Sequence, residues 1–439
     1  MRCPTLADLP PPPEGKAGWP WTEETSRVPE SMPDGKPWPK ISIVTPSYNQ
    51  GQFIEETIRS VLLQGYPDLE YIIIDGGSTD ESVEIIRKYE RWIAFWMSEP
   101  DDGQTNAINK GFKRSTGEIV AWLNSDDLYT TGALFTAAKV FAEQPQSAVV
   151  YGKIDVVDAD TTVLLLYESV LSHISSRDFN LEELYRRDYI PQPASFISAE
   201  AIKKIGFLDE RFHYIMDYDL WVRLGQGGAI IQYIPKTLAR FRMHECSKSV
   251  SQEEAFWPEC FMLFDMALKR DALDASLAGI AYSHMFQSLI LSYLSQQSHD
   301  ILSYASKNSI NSDKKRVFYQ QPLQEVLRLV RTDRPHPEGD QSLQEALRKV
   351  YQAFENEYNN GRDNHSTDIE SRWVDEQLIL LPNLLLSLGE KVESVRLYKK
   401  FIGIRPSLLR YPQMYSFLAR YVARTDFASR IKGVRYSGL

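Results

Sequence analysis

From Ile41 onward, short apolar runs alternate with segments whose apolar positions recur every three to four residues. Ile41 to Pro46 reads as a strand, Phe53 to Leu63 as an amphipathic helix, Tyr71 to Ile74 as a second strand and Val83 to Tyr89 as a second helix. Phe95 to Met97, a short helix at Ala107 to Phe112, a strand ending at Leu123, a helix at Gly132 to Phe141 and a strand at Ala148 to Tyr151 continue the series. Unbroken runs such as Tyr71 to Ile74 suit strands buried on both sides. The pattern therefore predicts an α/β domain with a mostly parallel sheet and helices on both faces. Between about 152 and 250 the alternation breaks: Ile154 to Val157 and Val163 to Tyr167 suggest a hairpin around Asp158 and Asp160. Helical segments near Leu181 and Asp219 follow, then two strands at Ile230 to Ile234 and Leu238 to Met243.

Beyond residue 255 the pattern is helical, with Phe256, Phe261 and Phe264 spaced for one face and a polar linker near Asn359 to Thr367. Residues 1–39 are rich in proline and carry Trp19, Trp21 and Trp38. They read either as an extended arm docked by its aromatics or as a loose leader. The expected organisation is an arm (1–39), an α/β domain (40–250) and a helical C-terminal region (255–439).

Composition narrows the class. A chain of 439 residues exceeds one typical core, and 43% hydrophobic with 25% charged residues is ordinary for a soluble protein. A net charge of −10 argues against nucleic acid as a partner. Cys3, Cys246 and Cys260 have no metal-ligand spacing and suggest no disulfide framework, which fits a reducing compartment. No apolar stretch reaches the roughly 20 residues of a membrane span, and no basic-then-apolar leader is evident, so a cytoplasmic location is expected.

The candidate chemistry gathers where strands end. The run from Gly117 to Leu123 ends in Asn124-Ser125-Asp126-Asp127. Adjacent carboxylates repel one another and need a cation or donors nearby, although an aspartate before Leu128 also suits a helix cap. The first predicted strand ends at Thr45-Pro46-Ser47-Tyr48-Asn49, the second at Asp75-Gly76-Gly77-Ser78-Thr79-Asp80. Three strand ends thus place polar groups along one carboxyl rim, where open α/β sheets hold ligands.

These motifs, with Ser98-Glu99-Pro100-Asp101-Asp102-Gly103, Asn106 to Gly111 and Met216-Asp217-Tyr218-Asp219-Leu220-Trp221, resemble in order and spacing the family 2 glycosyltransferases of the GT-A fold. The resemblance covers about residues 40 to 250. It implies a nucleoside-diphosphate sugar donor, with Pro46, Tyr48, Asn49 and Asp75 at the base. Asn124 and Ser125 would serve the ribose, and Asn106, Lys110 and Arg242 the donor. Mn²⁺ or Mg²⁺ would be held by Asp126, with Asp127 auxiliary and His244 completing the shell. Where the family carries a first carboxylate this chain has Asn124, and where it carries a glutamate before the base this chain has Met216. Asp217 is the implied base. Asp219 and Gln192 are placed on the acceptor side.

The implied reaction is inverting transfer of a sugar, from a donor of UDP or GDP type, to a saccharide or lipid-linked acceptor in cell-surface polysaccharide or glycan synthesis. Without spanning helices or the Gln-x-x-Arg-Trp motif of the processive synthases, single-sugar addition follows. A sugar nucleotidyltransferase is a rival, but the loop from Pro46 to Gly51 lacks the Lys or Arg that would hold a triphosphate. A non-catalytic nucleotide-sugar-binding or scaffold protein is the other, given Asn124 and Met216. The segment from Arg396 to Arg435 interleaves basic and aromatic residues. It suits the packed and solvated faces of a helical domain, the favoured reading, or peripheral contact with anionic lipid at the cytoplasmic face of a membrane.

Overall fold

The computed structural model describes residues 2–164, 178–244, 247, 256–270, 273, 275–294, 347–350, 352, 373, 374 and 377. It divides into two compact units, Met1–Glu253 and Glu254–Leu439.

The first unit is built on one eight-stranded sheet. Its strands are β1 (Ile41–Ser47), β2 (Leu69–Asp75), β3 (Phe95–Ser98), β4 (Ile119–Trp122), β5 (Leu128–Tyr129), β6 (Val149–Val157), β7 (Ser195–Ser198) and β8 (Ile231–Arg242), in the order β3-β2-β1-β4-β7-β6-β8-β5. β7 and β5 run against the other six. The helices are α1 (Ile54–Leu62), α2 (Ser82–Tyr89), α3 (Gln104–Arg114), α4 (Ala133–Glu143), α5 (Leu181–Arg186), α6 (Ala199–Ile205) and α7 (Met216–Gln226).

The two-residue period of a strand explains the layers. Ile41 and Ile43, Tyr71 and Ile73, and Ile119 and Ala121 point into one core with Ile54 and Ile58 of α1, Ile86 of α2 and Leu134 of α4. The alternate positions meet the opposite layer. Val44 lies against Gly111 of α3, where a Cβ would collide with its side chain. Trp122 meets Phe112 edge-on at 5.9 Å and stacks on Trp221 of α7 at 6.2 Å. Both faces of the sheet are covered, as the unbroken apolar runs require.

Two expectations change in the second half of the domain. The paired runs expected at 148–157 are one strand, β6, and those expected at 230–243 are one strand, β8. The two strands lie parallel, and register shifts beside Lys153 absorb the interruption that Gly152 and Pro235 introduce. The expected hairpin turn is present: Asp158 N–H donates to Thr162 O at 3.0 Å, and Val157 bridges Val163. Its return beyond residue 164 lies outside the described residues.

Residues 2–39 are docked on this unit. Arg59, fully buried in α1, donates from Nε to Pro20 O at 3.0 Å, from Nη1 to Pro10 O at 2.9 Å and from Nη2 to Trp21 O at 3.0 Å. Its guanidinium also lies 5.4 Å from the Trp21 ring. Trp19 Nε1 donates to Tyr129 O at 2.8 Å. Leu9, Val28 and Trp38 join the core that contains Ile41 and Tyr66. Each such side chain, fully buried, contributes about 1.5–3 kcal/mol.

In the second unit, α8 (Phe256–Arg270) and α9 (Ala275–Leu294) are described. Phe261 and Phe264 are buried as their spacing predicts, and Phe264 stacks on His284 at 4.6 Å. Buried Gln377 donates to Ser283 Oγ at 2.9 Å. The expected linker near 359–367 and the basic tail at 396–435 lie outside the described residues. No helix among the described residues is long and apolar enough to cross a membrane.

Candidate functional site

β2, β1 and β4 are neighbours running the same way, so their carboxyl ends form one rim. Ser47 is level with Asp75, and Asp75 with Ser98. Asp75 is buried. Its Oδ2 accepts from the Gly77 and Ser78 amides at 3.1 and 2.8 Å and from Ser98 Oγ at 2.6 Å, and its Oδ1 accepts from Ser78 Oγ at 2.5 Å. Gly77 adopts φ +83°, a conformation that suits glycine and lets the turn fold back on the carboxylate.

The loops after β1 and β2 are stitched together. Asn49 Oδ1 accepts from the Thr79 amide at 2.9 Å, the Asn49 amide donates to Ser78 Oγ at 2.7 Å, and the Gly51 amide donates to Asp80 Oδ2 at 2.8 Å. Burial works against the charge of Asp80, but hydrogen bonds from Ser82 and Gly51 outweigh it and lower its pKa. Tyr48 projects from this seam, 63% exposed, and Pro46 is buried in β1. Ser47 Oγ is buried with no hydrogen-bond partner.

After β4 the chain turns through Asn124–Asp127 into β5, which pairs antiparallel with β8. That pairing seats the turn against the end of β8. Asp126 Oδ2 and His244 Nε2 lie 3.0 Å apart, and the His244 ring packs on Phe53 at 4.7 Å. Ser125 is buried, and its carbonyl accepts from Thr57 Oγ1 at 2.9 Å. Asp127 points the other way: fully buried, its Oδ1 accepts from the Arg242 amide at 2.9 Å. Burial first, and the neighbouring Asp126 charge second, push its carboxyl well above the usual range, against the opposing pull of Arg242.

Asn124 Oδ1 accepts from Gln104 Nε2 at 2.7 Å, and its Nδ2 donates to Gln192 Oε1 at 3.4 Å. Gln192 is anchored in turn by donation to Trp122 O at 2.8 Å. The structure thus brings together Asn124 and Gln192, and separately Asp126 and His244. It places other expected site residues differently. Asn106 Nδ2 donates to Glu210 at 3.1 Å, and Lys110 pairs with Glu99 at 3.3 Å. Asp219 is buried in a pair with Arg223 at 2.7 Å, which also caps the carbonyls of Ile205 and Phe207. The Arg242 guanidinium faces inward, to Asp126 O at 2.8 Å and Glu56 Oε2 at 2.9 Å.

Asp217 opens α7, its Oδ1 accepting from the Tyr218 amide at 2.9 Å. Tyr218 OH donates to Leu184 O at 2.6 Å, tying α7 to α5, which the loop at 187–191 follows. That loop carries Asp188, a residue no motif pointed to. Asp188 is solvent-accessible, yet protein surrounds it closely enough to raise its carboxyl well above the usual range. The charge of Asp217 adds to the rise, while the Ile190 amide opposes it. Only the fold brings these two carboxylates within electrostatic reach, since they stand 29 positions apart in the chain.

Residues 42–206 match the family described as Glycosyl transferase family 2. An uncharacterized glycosyltransferase of Mycobacterium tuberculosis (strain H37Rv) is 30% identical over 189 residues, 42% of this chain and 68% of that protein. One of Rickettsia typhi is 27% identical over 227 residues, 50% of this chain and 70% of that one. One of Rickettsia felis is 28% identical, and the match spans only 38% of its length. Among solved structures, S. aureus TarS residues 1–349 in complex with UDP shares 17% identity at a TM-score of 0.47, covering 81% of this chain and 89% of that one. The mannosyltransferase PcManGT of Pyrobaculum calidifontis, in complex with GDP-Man and Mn²⁺, shares 16% at 0.45, covering 77% and 92%. The mixed α/β sheet with its polar carboxyl rim is the GT-A-type domain that the motifs imply. With the matched region spanning four strands of that rim and the mycobacterial relative covered over two thirds of its length, the chain belongs to the family 2 glycosyltransferases.

Proposed function

We propose that the domain transfers a sugar from a nucleoside-diphosphate donor of UDP or GDP type to a hydroxyl of a saccharide or lipid-linked acceptor, with inversion and with Mn²⁺ or Mg²⁺. The observation that carries the reading is the pairing of Asp126 Oδ2 with His244 Nε2 at 3.0 Å on the rim that also holds Asp75. Two cis ligands on a cation with bonds of about 2.1 Å stand about 3 Å apart, so a carboxylate and an imidazole so placed fit such an ion. Among the described residues no group of three or more His, Cys, Asp and Glu could hold a metal, so diphosphate oxygens and water would complete the shell. When bound, the cation would neutralise the charge that develops on the leaving diphosphate.

The protein's own residues do the rest. The seam carrying Tyr48, Asn49 and Asp75 holds the base, and Asn124 offers an amide to the ribose. Asp217 accepts the acceptor proton as the hydroxyl oxygen bonds to the anomeric carbon and the bond from that carbon to the diphosphate oxygen breaks. Beside it, burial and the Asp217 charge raise the carboxyl of Asp188, so Asp188 holds a proton more readily than a free carboxylate. The mycobacterial and rickettsial relatives carry the same general activity in their names.

Purified protein should release nucleoside diphosphate from UDP- or GDP-sugars in the presence of Mn²⁺ and a hydroxyl acceptor. Asp217→Asn should lower this release at least 100-fold while leaving nucleotide binding intact. Full release by the variant, or none by wild type with any donor, defeats the proposal.

A further inference from the structure

Arg242 was expected to meet the donor, but its side chain is 1% exposed and turned away from the rim. Every atom of its donor set has an internal partner. The backbone amide donates to Asp127 Oδ1 at 2.9 Å and Nε to Asp126 O at 2.8 Å. Nη1 donates to Asp158 O, Ala159 O and Thr161 Oγ1 at 3.1, 2.8 and 2.9 Å, and Nη2 to Glu56 Oε2 at 2.9 Å. Glu56, buried on α1, is fixed by the Thr161 hydroxyl, which donates to its carboxylate at 3.2 Å. Thr161 holds this position at φ +65°, a left-handed conformation that a β-branched residue rarely adopts. His244 lies two residues beyond Arg242, and the Phe53 ring stands 4.9 Å from the Arg242 guanidinium and 4.7 Å from the His244 imidazole.

The consequence is a single buried fork that holds the backbone of Asp126 directly and reaches His244 through the shared Phe53 ring and the two-residue step beyond β8. A lysine could not do this, because one ammonium cannot reach acceptors on three segments in a fixed plane.

We propose that Arg242 and Glu56, bridged by Thr161, are positioning residues that set the separation of Asp126 and His244 and so tune their affinity for the divalent cation. This rests on the proposed metal-assisted function. Residues that orient a ligating carboxylate or imidazole usually govern metal affinity by about 10- to 100-fold when altered.

The test is titration calorimetry of UDP and of GDP across a series of Mn²⁺ concentrations, with the melting temperature recorded for each protein. Glu56→Gln keeps the size and an accepting oxygen but removes the charge. It should raise the Mn²⁺ concentration for half-maximal nucleotide binding about tenfold, with full binding regained at excess Mn²⁺. Thr161→Gly removes the hydroxyl bridge while relieving the left-handed conformation. It should shift Mn²⁺ dependence in the same direction without lowering the melting temperature, a combination that a purely structural role does not produce. Arg242→Lys should show the larger loss. Wild-type Mn²⁺-dependent binding that both Glu56→Gln and Thr161→Gly leave unchanged overturns the inference alone. Nucleotide binding by wild type that is indifferent to Mn²⁺ overturns the metal-assisted reading and the inference with it.

Discussion

Glu70→Gln should destabilise the first unit in a way that depends on pH. Glu70 closes the amino edge of the sheet, opposite the rim. Its Oε2 accepts from Ser42 Oγ at 2.5 Å and the Thr116 amide at 2.7 Å, and its Oε1 from Lys40 Nζ at 3.1 Å and Thr116 Oγ1 at 2.7 Å. Burial opposes its charge, but these four donors outweigh burial and lower its pKa from 4.5 to about 2. Because the folded value lies below the unfolded one, the stabilisation is fully present above about pH 4.5 and is lost as pH falls toward about 2. A shift of that size would correspond to about 3 kcal/mol for an enclosed group. The cluster borders solvent through Lys40, so screening reduces the figure to about 1–2 kcal/mol. In Glu70→Gln whichever way the amide turns, its NH₂ meets two donors. Urea unfolding followed by tryptophan fluorescence should show wild type more stable by about 1–2 kcal/mol at pH 7. The gap should narrow as pH falls from about 4.5 toward about 2. A gap that stays constant over that range, or none at pH 7, refutes the reasoning.

Other outcomes are equally specific. Gly111→Ala should cost about 1–3 kcal/mol in the same urea assay, because the new methyl group meets the Val44 side chain where α3 lies on β1. Arg59→Met should release residues 2–39, leaving three carbonyls without their donor; limited proteolysis would show cleavage before residue 40 at least tenfold faster than in wild type.

The first half of the fold was legible because its strands obey the rules a sequence exposes. Apolar runs of four to seven residues, each followed by a helical period, predicted β1 to β4 and α1 to α4 within a few residues. β5, two residues long, leaves no periodic trace, and it is the element that presses the Asn124–Asp127 turn against β8. β7 and α6 passed unread, because Pro193 and the mixed polarity of residues 195–205 obscure both periods. In the site, residue types at the strand ends marked Asp75 and Asp126, and the family resemblance marked Asp217 and His244, but orientation could not be read. Asp126 and Asp127 are adjacent in sequence, yet one faces His244 and the other the Arg242 backbone. Likewise an arginine suits phosphate in composition, and only tertiary packing shows that Arg242 is occupied by internal carbonyls and Glu56.

The docked amino-terminal segment has a consequence for how the chain is made. Residues 2–39 leave the ribosome before their partners Arg59, Gly65 and Tyr129 are synthesised. During that interval Leu9, Trp21, Val28 and Trp38 have no surface to cover them. Proline in this stretch disfavours the strand pairing through which exposed apolar segments aggregate. The segment can therefore wait in an extended, unpaired form and settle once α1 and β5 exist. Docking is then a late event in cotranslational folding, and it makes translation past Tyr129 a precondition for a finished core.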